Sequence, residues 1–381
     1  MIQRRILTRM KKQISIIVAI CVILLLSSND AFPCQTFMLK KGDILIAGHN
    51  LGMPMHIPGV MVINKRGVLK KGITWYEILS GKLSPTPLVT WVSKYGSLTF
   101  NPFCRDFPDG GMNEAGLFIE EMTLGETKFP EDHSKPKIFM MQWMQYVLDN
   151  FETVDQVIQS TSEMTLDGWA WHFFSADRKG NAAVIEFLDG KAVIYKGKDL
   201  PVAALCNTKY EEEIKNLKTF EGFGGKKSIS LKDHTIARFI HIAYMLRNYT
   251  PTKDSAIEYG FKILHQLDRG GTQWSFLCDL KHLKAYIRTA KSEEIRYVNL
   301  KSFDLSCNTP VKMLDIHADL SGNVEKNFQD YTLETNRNFV VQSFKVLESR
   351  GFIDFVQSQG STVNQVIERI ASYSETTTCR K

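Results

Sequence analysis

The sequence predicts an α+β fold of layered sheets, and three observations predict it. Hairpin signals fill much of the first half, helical periodicity comes in separate blocks, and strand patterns return from Trp274 onward. Strands, then helices, then strands again do not alternate as the βαβ units of a doubly wound sheet do. The composition is that of an ordinary globular chain: 381 residues, 44% hydrophobic, 11% aromatic and 23% charged. It excludes a disordered, collagen-like or multi-span membrane protein.

The elements follow in order. Residues 1–13 are basic and acid-free, Ile14 to Leu26 form an apolar run broken only by Ser15, and Ser27 to Ala31 end it. This is the layout of a secretory signal with cleavage after Ala31, which leaves Phe32–Pro33 as a short stub before Cys34. Thirteen helical residues rise about 20 Å, short of a ~30 Å hydrocarbon core. An uncleaved amino-terminal anchor is the rival reading. Cys34–Leu39 and Ile44–His49 then flank the turn Lys40–Asp43. Asp109–Gly110–Gly111 leads into Gly116–Thr123, Trp171–Ala176 and Ala182–Phe187 flank Arg178–Asn181, and Asp189–Gly190 turns into Lys191–Tyr195. Helices are expected at Ile138–Leu148, Tyr210–Leu217, Thr235–Leu246 and Ser255–Leu267. Strands are expected at Trp274–Asp279, Ala285–Arg288 and Arg296–Leu300, and helix from Asn323 to the end. The division expected is a leader (1–33), one domain (34–320) and a helical carboxy-terminal segment packed on it (321–381).

Charge narrows the partners. The formal net charge is +6, from 47 Lys+Arg and 41 Asp+Glu. The leader holds five basic residues and one acid, so the remaining 348 residues carry 42 basic and 40 acidic side chains. A nearly neutral body makes no electrostatic case for nucleic acid. Gly222–Gly225 has neither a preceding strand nor a following Lys-Ser/Thr pair, so no nucleotide or other cofactor is expected. Seven cysteines with no CxxC pair form neither a metal site nor a disulfide scaffold, though one or two bridges are compatible with export. Whether the chain forms a homo-oligomer is left open.

Four stretches carry candidate chemistry. Cys34 lies just past the leader and opens a strand. A cysteine at a mature amino terminus has a thiol and an α-amine, which titrates near ~8 and can take the thiol proton. A packed thiol or half a disulfide is the plainer reading. Asn113, in Asp109–Leu117, either belongs to a hairpin turn or offers its main-chain N–H to an oxyanion hole. Asn207 is a turn or cap residue, or aims its NH₂ at a developing oxyanion. Arg238 shares a helical row with Ile242 and Met245, where a guanidinium either snorkels or needs an anion or thiolate partner.

Taken together, these motifs resemble the choloylglycine hydrolase and penicillin V acylase family, cysteine members of the N-terminal nucleophile hydrolases. The resemblance rests on Cys34–Gln35–Thr36, Gly48–His49–Asn50–Leu51, Gly111–Leu117, Asn207–Tyr210, Ala237–Arg238–Phe239, and Thr272–Ser275 with Asp279 and Tyr286–Thr289. It spans roughly residues 34–320. It implies a four-layer αββα sandwich and hydrolysis of a linear C–N amide in a small acyl conjugate. Within it, Cys34 matches the nucleophile, Asn113 and Asn207 the oxyanion-hole positions, and Arg238 the arginine near the thiol. Two residues depart from the pattern Gly-Arg-Asn-x-Asp: His49 replaces the arginine and Gly52 the aspartate that holds the α-amine. His49 is expected to polarise the thiol. Another acid, Asp43 or Glu114, would have to stand in for the aspartate, or the activity is weakened. Trp75, Trp91, Trp143, Trp169 and Trp171 line either an acyl pocket or the core.

Overall fold

The computed structural model describes residues 34–251, 255–266, 270–348 and 352–380. The expected leader lies outside them, as does Leu267 at the end of one expected helix.

Two large sheets carry the architecture. The first has seven strands in the order Ala204–Leu205, Gln35–Lys41, Ile44–Gly52, Thr272–Asp279, Lys284–Thr289, Ser292–Asn299 and Gly322–Asn323. The second has nine: Lys191–Lys196, Ala182–Leu188, Trp171–Ala176, Phe118–Thr123, Gly110–Asn113, Ser97–Asn101, Val60–Asn64, Lys312–Asp315 and Gln329–Asp330. Neighbours are mostly antiparallel, so short turns suffice to join them.

Side-chain alternation shows the layering. On Phe118–Thr123, Phe118 and Met122 join Phe37, Phe100 and Phe276 in the core between the sheets. Ile119, on the opposite face, packs with Phe173, Ile185 and the helix residues Met140, Met144 and Val147. Across the inner layer Phe100 stacks on Phe276, ring centroids 3.7 Å apart. The helix Ala256–Gln266 covers the outer face of the first sheet and Met140–Asn150 that of the second. The result is an αββα sandwich, as the resemblance implies.

Most expected hairpins form with ends shifted by a residue or two, and Tyr210–Leu217 keeps its bounds. Two helices begin later than their periodicity suggests, at Met140 and Arg238. In the first case Lys137–Phe139 pairs as a strand with Thr165–Asp167. The expectation of helix from Asn323 fails for its first turns. Gly322–Asn323 and Gln329–Asp330 extend the two sheets, and helix starts at Leu333. The end of the chain is a strand too: Thr378–Cys379 pairs with Val68–Lys71, and Cys379 is bridged to Cys307. The five tryptophans belong to the apolar cluster on the outer face of the second sheet, whereas Cys34 lies in the inner cluster. Trp91, Trp143 and Trp171 are core, Trp75 and Trp169 pack partly buried against it, and none of the five lies in the cluster that holds Cys34.

A buried ionic group ties the carboxy-terminal segment to the sandwich. Lys70 Nζ lies 2.8 Å from Asp106 and 3.0 Å from Asp149, with all three side chains buried. Trp91 and Gln145 donate to Asp149, while Ser374 of the last segment donates to Asp106. Burial alone would raise the Asp106 carboxyl, but Lys70 and Arg105 hold it down to about 2. Its contribution to stability is therefore present above the ordinary carboxylate range and is lost as pH falls toward 2. Lys70→Met leaves Asp149 buried without its cation and Asp106 with Arg105 alone. It is expected to cost about 3–5 kcal/mol in denaturant unfolding, most of which Asp106→Asn with Asp149→Asn restores. An unfolding midpoint unchanged by Lys70→Met contradicts this account.

Candidate active site

Cys34 precedes the strand Gln35–Lys41, and its neighbours there show which way it faces. Thr36 lies opposite His49 and Gln35 opposite Asn50 in the pairing with Ile44–Gly52. Gln35 and Asn50 both reach the Leu264 carbonyl of the covering helix. By alternation, Cys34 and Thr36 face the other way, toward the second sheet. The Gly52 N–H donates to Cys34 Sγ at 3.4 Å. Beside Gly52 the ladder slips by one residue between Thr272 and Trp274. This bulge frees Gln273 to donate to the Met53 carbonyl and accept from the Ile57 N–H, which fixes the chain leaving the site.

Arg238 is the first residue of the helix Arg238–Asn248 and is half-buried. Nη1 donates to the Cys34 carbonyl at 2.8 Å and Nη2 to Asn207 Oδ1 at 2.9 Å. It thus reaches Cys34 through the main chain and not through the thiol. Because Oδ1 takes the guanidinium, the Asn207 NH₂ is oriented, and one of its hydrogens goes to the Thr123 carbonyl at 3.0 Å. Behind Asn207, His172 Nε2 meets the Cys206 carbonyl at 2.7 Å, and Nδ1 lies 3.2 Å from Glu186 Oε1, which also accepts the Tyr210 N–H. The expected Cys34, Asn207 and Arg238 are therefore one connected unit.

The other two expected residues fall elsewhere in the geometry. The Asn113 N–H donates to the Leu117 carbonyl, and its side-chain NH₂ to the Leu148 and Phe151 carbonyls. Its Oδ1 accepts from Ala115 and Leu117. Every group Asn113 could offer an oxyanion is spent on locking the hairpin to the end of a helix. The oxyanion reading of Asn113 is corrected to the turn reading. His49 is fully buried beside the site, but its ring nitrogens face Thr36 Oγ1 at 2.7 Å and Glu120 at 3.7 Å. The thiol's hydrogen-bond partner is Gly52 instead, so His49 does not polarise it.

Neither proposed substitute acid is present at the site. Asp43 pairs with Lys281 at the exposed first turn, and Glu114 pairs with Arg66. Three acids that the sequence reading passed over are buried in or beside strands of the second sheet, Glu120 toward His49 and Glu121 on the outer face with Phe173. Asp109, Glu120 and Glu121 are buried at 1%, 0% and 3% exposure. Burial, the largest cause, pushes all three carboxyls well above their ordinary range, and Asp109 adds to the rise in both glutamates. The signal was legible as two adjacent acids inside an otherwise apolar strand, Phe118–Ile119–Glu120–Glu121–Met122. Glu213 also flanks the unit. Burial raises it to about 7, against the pull of Arg238 and Thr208.

These charges set the state of the thiol. Burial and then Glu121 push Cys34 well up from its ordinary value. The Gly52 amide and Arg238 pull the other way and lose, and Asp109 adds to the rise. With residues still attached ahead of Cys34, the thiol is neutral. Burial drives His49 down to about 3. A base depressed in the folded state loses stability as pH falls below its ordinary 6.5, because only the unfolded chain then takes up the proton. The His49 ring proton resonances are expected to stay flat from pH 8 to pH 5 in an NMR titration. An inflection near pH 6.5 contradicts this assignment.

Comparison with known proteins bears on this site. The sequence model described as linear amide C–N hydrolases, choloylglycine hydrolase family, matches residues 92–313. Penicillin V acylase of Pectobacterium atrosepticum is 25% identical over 262 residues, 57% of this chain and 69% of that protein. Among solved structures, penicillin V acylase from Agrobacterium tumefaciens superposes with a TM-score of 0.67 at 22% identity, covering 78% of this chain and 98% of that one. A variant of conjugated bile acid hydrolase from Clostridium perfringens superposes with a TM-score of 0.61 at 18% identity, covering 76% and 98%.

Proposed function

The chain belongs to the choloylglycine hydrolase family of linear amide C–N hydrolases, and from that premise we propose that it is an exported amidase with Cys34 as nucleophile. The observation that carries this is the Arg238 bridge between the Cys34 carbonyl and the Asn207 side chain. Removal of residues 1–33 would free the α-amine of Cys34. That amine takes the thiol proton, and the thiolate attacks the carbonyl of an acyl amide. One Asn207 N–H is held by Thr123, and the second is available to the developing oxyanion. The amine product leaves with the proton, and water then releases the acyl group from the thioester. The Cys307–Cys379 bridge suits an oxidising compartment outside the cytoplasm. The substrate class is a small acyl amide. Penicillin V, acyl-glycine, acyl-taurine and acyl homoserine lactones form the panel that separates its members.

A second reading has two observations in its favour. Gly52 offers no carboxylate to the α-amine, and the buried thiol is held neutral. An acyl-ligand binding protein on the same scaffold would need nothing more. The two readings part on Cys34→Ser. The amidase loses turnover by two or more orders of magnitude, because a hydroxyl is far less acidic than a thiol, while the circular dichroism spectrum is unchanged. Mass spectrometry of the active secreted protein finds Cys34 as its first residue. Full activity in Cys34→Ser, or in protein still carrying Phe32, contradicts the nucleophile assignment.

A further inference from the structure

Two ionisable side chains outside the Cys34–Arg238–Asn207 unit sit between the sheets, where apolar residues would pack at less cost. His172 and Glu186 are both 0% exposed. Alternation places them on the inner face of the second sheet. His172 lies opposite Met122, and Phe174, two residues on, pairs with Val184, two residues before Glu186. Met122, Phe174 and Val184 all belong to the inner cluster that holds Cys34. The intervening Phe173, Ile185 and Phe187 belong to the outer one.

Their hydrogen bonds converge on one short segment. Ala204–Leu205 pairs antiparallel with Thr36 and Phe37 in the first sheet, and the chain then continues toward Cys34 through Cys206 and Asn207 to the helix Tyr210–Leu217. His172 Nε2 donates to the Cys206 carbonyl at 2.7 Å, since a carbonyl can only accept. That carbonyl shares a rigid peptide plane with the Asn207 nitrogen, so holding it fixes where the Asn207 side chain starts. At the other end the Tyr210 N–H donates to Glu186 Oε1 at 2.8 Å, and the same oxygen lies 3.2 Å from His172 Nδ1. Oε2 of Glu186 is buried with no hydrogen-bond partner among the described residues, so the carboxyl is committed to these two contacts. Arg238 and the Thr123 carbonyl orient the Asn207 amide group, while the backbone on either side of it is held by His172 and Glu186.

Resting on the amidase reading, we infer that His172 and Glu186 are positioning residues for Asn207. The pair clamps residues 206–210 at both ends, so the remaining Asn207 N–H points where the oxyanion develops and needs no reorganisation during the reaction. Neither side chain touches the substrate. His172 holds the peptide ahead of Asn207, and Glu186 holds both His172 and the first turn of the following helix.

The test is a double-mutant cycle on turnover of a cleaved acyl amide. His172→Leu lowers kcat by about tenfold to a hundredfold. KM changes by less than about twofold, because the oxyanion contact is made in the transition state. In an Asn207→Ala background the same substitution has no further effect on kcat, because the group it positions is gone. His172→Gln, whose amide nitrogen can donate to the Cys206 carbonyl from a similar reach, recovers most of the loss. Amide hydrogen exchange reads the clamp apart from activity. In His172→Leu the Tyr210 N–H exchanges roughly tenfold faster, while the strand Gln35–Lys41 keeps its protection. If wild type cleaves no panel member, the amidase reading fails on that panel and exchange alone decides the clamp. Should His172→Leu not fold, wild type is measured, and its Tyr210 N–H exchanges as slowly as the amides of Ala182–Leu188. A kcat unchanged in His172→Leu, or a loss just as large in the Asn207→Ala background, overturns the inference. So does a Tyr210 N–H that keeps its wild-type rate in the folded variant, or that exchanges in wild type as fast as the exposed turn Lys40–Asp43.

Discussion

One guanidinium holds the candidate site together. Arg238 contacts a carbonyl at the start of one strand of the first sheet and a side-chain amide from a loop, and that amide is in turn anchored to an interior strand of the other sheet. The planar fork donates one hydrogen bond from each terminal nitrogen in a fixed direction, which a lysine at the same place would not reproduce. Its reach depends on where the helix begins. Arg238 is the first helical residue, so its side chain lies over the end of the element and not along the buried stripe. The stripe itself, with Phe239, Ile242 and Met245, anchors that helix in the inner core.

The two layers could be read from the sequence because both sheets are built largely of hairpins with strong turn signals. Lys40–Asp43, Arg178–Asn181 and Asp189–Gly190 all sit at turns between paired strands. What escaped were strands without local punctuation: Val60–Asn64 and Lys312–Asp315 pair with each other across some 250 residues. A pairing of that kind leaves no local trace. The carboxy-terminal reading erred for a related reason. Gly322–Asn323 and Gln329–Asp330 are only two residues long each and owe their form to the sheet edges they join.

Site residues divide the same way. Cys34, Asn207 and Arg238 stood in recognisable short motifs, and the fold brings them together. Asn113 stood in an equally recognisable motif, yet its backbone and side chain are consumed by the hairpin it closes. The motif reflects a turn that this architecture requires. Glu120 and Glu121 were visible only as an interruption, since an apolar strand buried on both faces has no ordinary use for two acids. What each meets, His49 across the sheets for Glu120 and the outer layer with Phe173 for Glu121, is supplied only by the fold.

The central claim is that Cys34 carries the acyl group during amide cleavage. Its most direct measurement is intact-mass and peptide mass spectrometry of chain beginning at Cys34, quenched in acid during turnover of a cleaved acyl amide. The account predicts an adduct of the acyl mass as a thioester on Cys34, absent from Cys34→Ser and removed by hydroxylamine. Turnover with no adduct at any quench time, or an acyl group on another residue that persists in Cys34→Ser, would contradict it.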